Sequence, residues 1–222
     1  MKIDFHVHTS FSDDAISSPK EVVKAALKKK LNGICITDHD QIKGAAEVLK
    51  LAFDLPILII PGIEITSKEG DILGINVKKI ISRGLSAKET IKAIKKAGGL
   101  AVIAHPFAWP IVVNRFSGRI EELLGLDPGI EALNGSLFNF SNQKALELAR
   151  EFDLFYTAGS DAHSANCLGA AFTEIPEENL SAEEVLEEIK KKNVKLKKER
   201  VIFFENLKTL LKRELRDLFF KF

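Results

Sequence analysis

Residues 2–14 read KIDFHVHTSFSDD, a strand-like run that carries His6 and His8 two residues apart and ends in the acidic pair Asp13 and Asp14. Strand alternation sends His6 and His8 to the same face, within reach of one metal ion. Further short apolar runs follow at 33–37 (GICIT), 57–62 (ILIIPG), 71–76 (DILGIN), 99–105 (GLAVIAH), 129–134 (GIEALN), 154–159 (LFYTAG) and 170–175 (AAFTEI). They alternate with amphipathic stretches, the pattern of β-α units that build a parallel sheet or barrel. Three helix starts are marked, each by a serine three residues before a glutamate: Ser18 with Pro19 and Glu21, Ser86 with Glu89, and Ser181 with Glu184.

The bulk properties fit one domain. A chain of 222 residues with 45% hydrophobic and 28% charged residues can enclose one substantial core. Cys35 and Cys167 stand far apart without paired spacing, which excludes a disulfide framework and a CxxC metal knuckle and leads to an expected cytoplasmic location. No apolar run approaches a membrane span, and the N-terminal residues lack a signal-peptide layout. Net charge is +1, yet residues 190–222 hold twelve Lys or Arg against four Asp or Glu. The expected division is a domain over 1–190 and a basic amphipathic helical extension over 191–222, with Phe204, Leu207, Leu211, Leu215 and Leu218 on one side and Lys208, Lys212, Arg213 and Arg216 between them. Packing on the barrel or on a second subunit, giving a homo-oligomer, is the first use expected of that helix; contact with nucleic acid or an anionic membrane is the second.

Each of the five histidines falls within a residue or two of a strand end, beside acidic residues or another histidine. In an α/β barrel the C-terminal strand ends share a mouth, so such residues converge there. In ITDHD, His39 is the expected ligand, Asp38 is expected to orient a neighbouring imidazole, and Asp40 to start the next helix. Glu64 in IIPGIEI can bridge two cations, and Asp71 can be a ligand or an ordinary loop acid. His105 in VIAHPF is held by the following proline, and TAGSDAH puts Asp161 and His163 on one side. One of Asp13 and Asp14 can fold back as a hard oxygen ligand, the alternative of a solvated turn weighing more on Asp14 than on Asp13. Glu131 and Asp153 are expected to be structural or surface acids. Arg115 and Arg119 can approach a substrate phosphate, and Trp109 can stack a base or sugar.

In this order HVHTSFSDD, ITDHD, PGIEI, AHP and GSDAH resemble the polymerase and histidinol phosphatase (PHP) family over residues 1 to about 190. The resemblance implies an α/β fold, a distorted (β/α)7 TIM-like barrel, and two or three manganese, zinc or iron ions that hydrolyse phosphate esters. It assigns His6, His8, Asp13, His39, Glu64, His105, Asp161 and His163 as metal ligands, with Glu64 bridging. Asp71 stands where many members have a histidine, which favours harder ions such as manganese, and Asp14 stands where one branch has glycine. The expected reaction is hydrolysis of a phosphate monoester (a nucleotide, nucleoside bisphosphate or histidinol-phosphate-like molecule) by a metal-bridged hydroxide, with His163, His105, Glu64 and Asp161 in the catalytic group. A nuclease trimming 5′ ends of RNA or DNA and a non-catalytic metal-binding domain are the alternatives. An amidohydrolase shares the first H-x-H but is expected to use a bridging lysine, where this chain offers Glu64.

Overall fold

The computed structural model describes residues 1–108, 114–209 and 211. Eight of its nine strands fall on the apolar runs of the sequence: β1 (Lys2–Val7), β2 (Gly33–Ile36), β3 (Leu58–Ser67), β4 (Gly70–Ile75), β5 (Leu100–Ile103), β6 (Gly129–Asn134), β7 (Tyr156–Gly159) and β8 (Ala171–Glu174). The ninth, β9 (Lys195–Lys198), is a run of lysines and one leucine with no strand signal, and it pairs antiparallel with β8. The sheet therefore extends past residue 190. Ile202 is also buried in the core, so the segment after 190 is partly integral to the domain.

Five α-helices within the described residues are α1 (Pro19–Lys28), α2 (Lys43–Leu51), α3 (Ala87–Lys96), α4 (Asn139–Glu151) and α5 (Ala182–Lys190). Ser18, Ser86 and Ser181 each cap their helix in a full capping box, the serine oxygen accepting from the glutamate N–H and the glutamate accepting from the serine N–H. Val22, Val23 and Ala26 of α1 and Ile91 and Ile94 of α3 face the sheet. No helix among the described residues is long and apolar enough to cross a membrane. Residues 203–209 are helical; Lys212, Arg213, Leu215, Arg216 and Leu218 of the expected terminal helix, and Trp109, lie outside the described residues.

The strand order is β7-β6-β5-β4-β3-β2-β1-β8-β9. The first seven curl into a nearly closed ring, because β1 changes partner along its length. Its start pairs with β8 (Lys2↔Glu174, Ile3↔Thr173), while at its end Val7 bridges Ala162 just after β7. Asp161 N–H donates to His6 O at 2.8 Å and His8 N–H to Ala162 O at 3.1 Å, which fastens that seam. One expectation of a parallel barrel is corrected. β4 runs antiparallel to both β3 and β5, since only Lys68 and Glu69 separate β3 from β4 and a parallel crossover needs about a dozen residues. The reversal puts the start of β4, with Asp71 opposite Thr66, at the same end of the barrel as the ends of the other strands.

Ile3, Phe5, Cys35, Ile60, Leu73, Ile75 and Val102 fill the barrel interior, and α5 seals it with Val185, Leu186 and Ile189. Two further apolar layers lie between the sheet and the helices. Gly159 marks the tightest point of the seam, where an added Cβ would lie 2.4 Å from His6 Cβ and 2.6 Å from His6 N. Gly159→Ala is expected to lower stability by about 1–3 kcal/mol, the usual cost of overpacking, and to weaken divalent-metal binding because His6 must move. Urea unfolding and equilibrium dialysis with manganese check this; unchanged values in both would mean that the seam does not position the mouth.

Candidate metal centre

Strand alternation alone accounts for the three strand-borne carboxylates of the mouth, Glu64, Asp71 and Glu131. On β3 the inward sequence is Ile60, Gly62, Glu64; on β4 it is Ile75, Leu73, Asp71; on β6 Glu131 points inward between Ile130 and Ala132 of the outer layer. Three of the histidines need more than alternation. The β1/β2 register shifts between Asp4 and Val7, a bulge that lets Phe5 face the core and His6 and His8 both face the mouth. His105 follows β5 with the parity of the outward Ala101 and Ile103, but its φ of 29° turns it back inside. Asp161 is also left-handed, at φ 56°. Such backbone costs about 1–3 kcal/mol per residue unless it is held, and both N–H groups are held: His105 donates to Glu131 Oε2 and Asp161 to His6 O, each at 2.8 Å.

All five histidines meet there. His6 Nε2 lies 3.1 Å from Glu64 Oε2, His105 Nε2 3.1 Å from Glu64 Oε1, His39 Nδ1 3.4 Å from Glu64 Oε2, and His163 Nε2 2.9 Å from Asp14 Oδ2. His8 Nε2 is buried and makes no hydrogen bond, although Glu64 and Asp161 oxygens stand 3.3 and 3.4 Å away. Three overlapping groups have donor atoms close enough to share a cation: His8, Asp14, His39 and His163; His6, His8 and Asp161; and His6, Glu64 and His105.

The surrounding hydrogen bonds fix which nitrogen is offered. His6 Nδ1 donates to Glu131 at 2.9 Å, His8 Nδ1 to Ser12 Oγ at 3.1 Å, and His163 Nδ1 to the Asp161 carbonyl at 3.0 Å, turning each Nε2 towards the mouth. Donor atoms around an ion bound at ordinary metal–ligand lengths stand roughly 3.0–3.4 Å apart, close to the spacings found here. Nitrogen and carboxylate donors together suit manganese, zinc or iron. The chain thus fits a divalent-metal cluster.

The charges compensate one another. Burial alone would lower the imidazole pKa values, yet Glu64 and Asp14 outweigh it at His39, which rises to about 10, and Glu64 does so at His105, which rises to about 9. His6 and His163 are raised as well, against the pull of burial, by Glu64 and Asp14 respectively. Burial would raise Glu64, Asp14 and Asp161, but the histidines hold all three well below the usual carboxylate range. Asp71, pushed up to about 6 by burial and by Glu64, lines the cavity and accepts from Asn114 Nδ2 at 3.0 Å, but it belongs to none of the three groups.

Several residues differ from expectation. The carboxylate that reaches the histidines from the first loop is Asp14, because the turns Thr9–Ser12 and Ser12–Ala15 bring it inward; Asp13 is exposed at the cavity edge. Asp38 touches no imidazole. It accepts from Thr9 N–H, Thr9 Oγ1 and Ser12 Oγ at 2.7–2.8 Å and so steadies His8 through Ser12. Asp40 does not start α2, which has Ile42 at its N-cap; it accepts from Thr66 N–H at 2.9 Å and faces Arg83 at 3.4 Å. Arg115 and Arg119 are exposed outside the lining of the mouth, and Arg119 pairs instead with Glu121 and Glu122. The arginine at the mouth is Arg83, in the β4–α3 loop, where no motif pointed to it. Glu131 is buried and holds both His6 and His105, while Asp153 is a surface partner of Lys192.

A family model described as PHP-associated matches residues 139–194. The uncharacterized protein MJ1587 of Methanocaldococcus jannaschii is 38% identical over 144 residues, 60% of this chain and 82% of its own length. A 5′-3′ exoribonuclease of Haemophilus influenzae is 33% identical over 99 residues, 43% of this chain and 36% of that protein. Among solved structures, a two-domain protein of Bacteroides vulgatus containing a predicted PHP-like metal-dependent phosphoesterase superposes with a TM-score of 0.75 at 22% identity, covering 89% of this chain and 64% of that longer one.

Glu131→Gln is expected to weaken manganese binding about 10–100-fold while the fold persists, as is usual when a partner that orients a ligand is lost; calorimetric titration checks it, and an unchanged affinity would remove Glu131 from the centre. In chelator-treated protein the raised histidines stabilise the fold fully below about 6.5, and that contribution is lost as pH rises through about 9 to 10. Thermal unfolding of that protein should therefore show Tm falling from about pH 6.5 to about pH 10, and a flat profile would contradict the ion-pair reading.

Proposed function

The chain belongs to the PHP family, and on that premise we propose that it is a metal-dependent phosphoesterase that hydrolyses phosphate monoesters of small molecules. The observation that carries this reading is the convergence of all five histidines with Asp14, Glu64 and Asp161 into three overlapping donor groups at one barrel mouth. A single site would suit structural metal binding. Overlapping sites suit a reaction that gathers negative charge at phosphorus.

His6, His8, Asp14, His39, Glu64, His105, Asp161 and His163 would hold two or three manganese, zinc or iron ions, with Glu64 between the groups. Bound divalent ions neutralise the phosphoryl oxygens and make water a competent nucleophile at neutral pH. In the hydrolysis a water oxygen bonds to phosphorus, the ester P–O bond breaks, and the departing oxygen takes a proton. Where His163 serves as the acid in place of a ligand, its Nε2 carries that proton, and it is more open than His105, with 13% side-chain exposure against 3%. Arg83, whose side chain is largely exposed at the rim, can meet a phosphoryl oxygen in the role first expected of Arg115 and Arg119.

The local likeness to an exoribonuclease supports a second reading, hydrolysis at nucleic-acid ends. Against it, Arg83 is the one Lys or Arg among the described residues that line the cavity, and a groove that tracks a phosphate backbone gathers several. The non-catalytic alternative is disfavoured by a ligand-capable side chain at every matched position.

Metal-stripped protein given back manganese, zinc or iron is expected to release phosphate from monoesters, and His105→Ala to lower kcat at least 100-fold. Asp14→Asn should lose much more activity than Asp13→Asn. Silence across monoesters, nucleotides and oligonucleotides despite bound metal would reject the phosphoesterase reading.

A further inference from the structure

Residues 199–209 lie against the β7–β8 connection, the stretch that carries Asp161 and His163. Glu199 N–H donates to the Ala170 carbonyl at 2.8 Å, Arg200 Nη2 to the Asn166 carbonyl at 2.7 Å, and Ile202 N–H to the Gly135 carbonyl at 3.0 Å, with the Ile202 side chain fully buried. Phe203 and Leu207 then line the cavity, and between them Asn206 turns its side chain to the connection itself.

Local preference does not account for Asn206. Asparagine is a weak helix former, and this one sits among the helical residues 203–209. Its side chain is used outside the helix: Nδ2 donates to the Asp161 carbonyl and to Ser136 Oγ, both at 2.6 Å, and Oδ1 accepts from His163 N–H at 3.3 Å. A residue that weakens its own helix while meeting three partners at a ligand-bearing loop is placed for those partners. The Asp161 carbonyl also accepts from His163 Nδ1 at 3.0 Å. Asn206 therefore holds both the His163 backbone and the oxygen that turns His163 Nε2 towards the mouth. The Asp161 carboxylate is fixed separately, by the fully buried Asn134, whose Nδ2 donates to Asp161 Oδ2 at 3.3 Å and to Glu131 Oε2 at 2.9 Å. Loss of the outer hold would thus free His163 more than Asp161.

Resting on the metal-centre reading, we propose that Asn206 is a positioning residue of that centre: the donor group His8, Asp14, His39 and His163 is fully formed only with residues 199–209 docked. The stretch after β9 is then part of the site, not an appendage to it.

Calorimetric titration of the full chain with manganese tests this. In Asn206→Ala at least one binding step is expected to weaken tenfold or more, the usual cost of losing a partner that orients a ligand. At least one other step keeps its affinity, because His6 and His105 are held by Glu131. Amide hydrogen exchange on chelator-treated protein is the second readout. There His163 N–H is expected to exchange at least tenfold faster in the variant, and Ala104 N–H, bonded to the Asp71 carbonyl, at its wild-type rate. Ile91→Val, which thins the apolar layer under α3, is the control for a loss of stability alone and is expected to change neither readout. Unchanged manganese binding in Asn206→Ala, or an equal loss in Ile91→Val, would overturn the assignment. Neither readout uses a substrate, so a chain that shows the expected losses but hydrolyses no ester would reject the phosphoesterase and keep the role of Asn206. A wild-type chain that takes up no manganese would reject both.

Discussion

Five imidazoles and several carboxylates are concentrated where the barrel core meets water, and the need to neutralise them there governs the rest of the molecule. An isolated charge in such a place would be costly to bury. The chain meets this by alternation of sign: Glu64 is approached by His6, His39 and His105, Asp14 by His39 and His163, and Asp161 by His6, His8 and His163. The same mutual arrangement is what a cluster of divalent ions would take over, with the histidines giving up protons as the ions enter. A set of groups balanced against one another without metal is thereby already shaped for it.

That balance requires β1 and β7 to meet, since they and the residues just after them carry four of the groups. β1 meets both β8 and β7, and a buried carboxylate sits at the fork. Asp4 accepts N–H groups from Ser160 and Gly169 at 2.8 Å each, tying β1 to both ends of the β7–β8 connection, and burial raises its pKa to about 6. Gly159 lets β7 approach the His6 backbone closely. The bulge in β1 and the left-handed backbone at His105 and Asp161 are further departures from regular geometry at the same end, each held by a hydrogen bond or a strand pairing. Left-handed backbone occurs in outlying turns as well, but at His105 and Asp161 it carries groups of the mouth, and the opposite end of the barrel is closed by apolar packing under α5.

The segment after residue 198 joins the same mouth from outside. Asn206 Nδ2 donates to Ser136 Oγ and to the Asp161 carbonyl, both at 2.6 Å, and its Oδ1 accepts from His163 N–H at 3.3 Å. The chain that supplies Phe203 and Leu207 to the cavity wall thus also steadies the loop that carries Asp161 and His163. Ile202, just before the helical turn, is buried in the core, whereas Phe204 and Leu211 of the apolar stripe read from sequence are 62% and 49% exposed.

The sequence by itself determined the strands that alternate apolar and polar residues, the three capped helices, and the identity of the histidines, because each depends on neighbours within a few residues. Glu64 and the pair Asp161 and His163 were legible for the same reason. What tertiary structure alone decided were matters of direction and distance: the reversal of β4, the pairing of lysine-rich β9, the inward turn of Asp14 in place of Asp13, the use of Glu131 to hold two histidines, and Arg83 at the rim in place of Arg115 and Arg119. Glu131 looks in sequence like any acid within a strand, and its role exists only because β6 lies between β5 and β7 with that face inward. A side chain's type is local, but what it faces is set by strand order and register, which no short stretch of sequence contains.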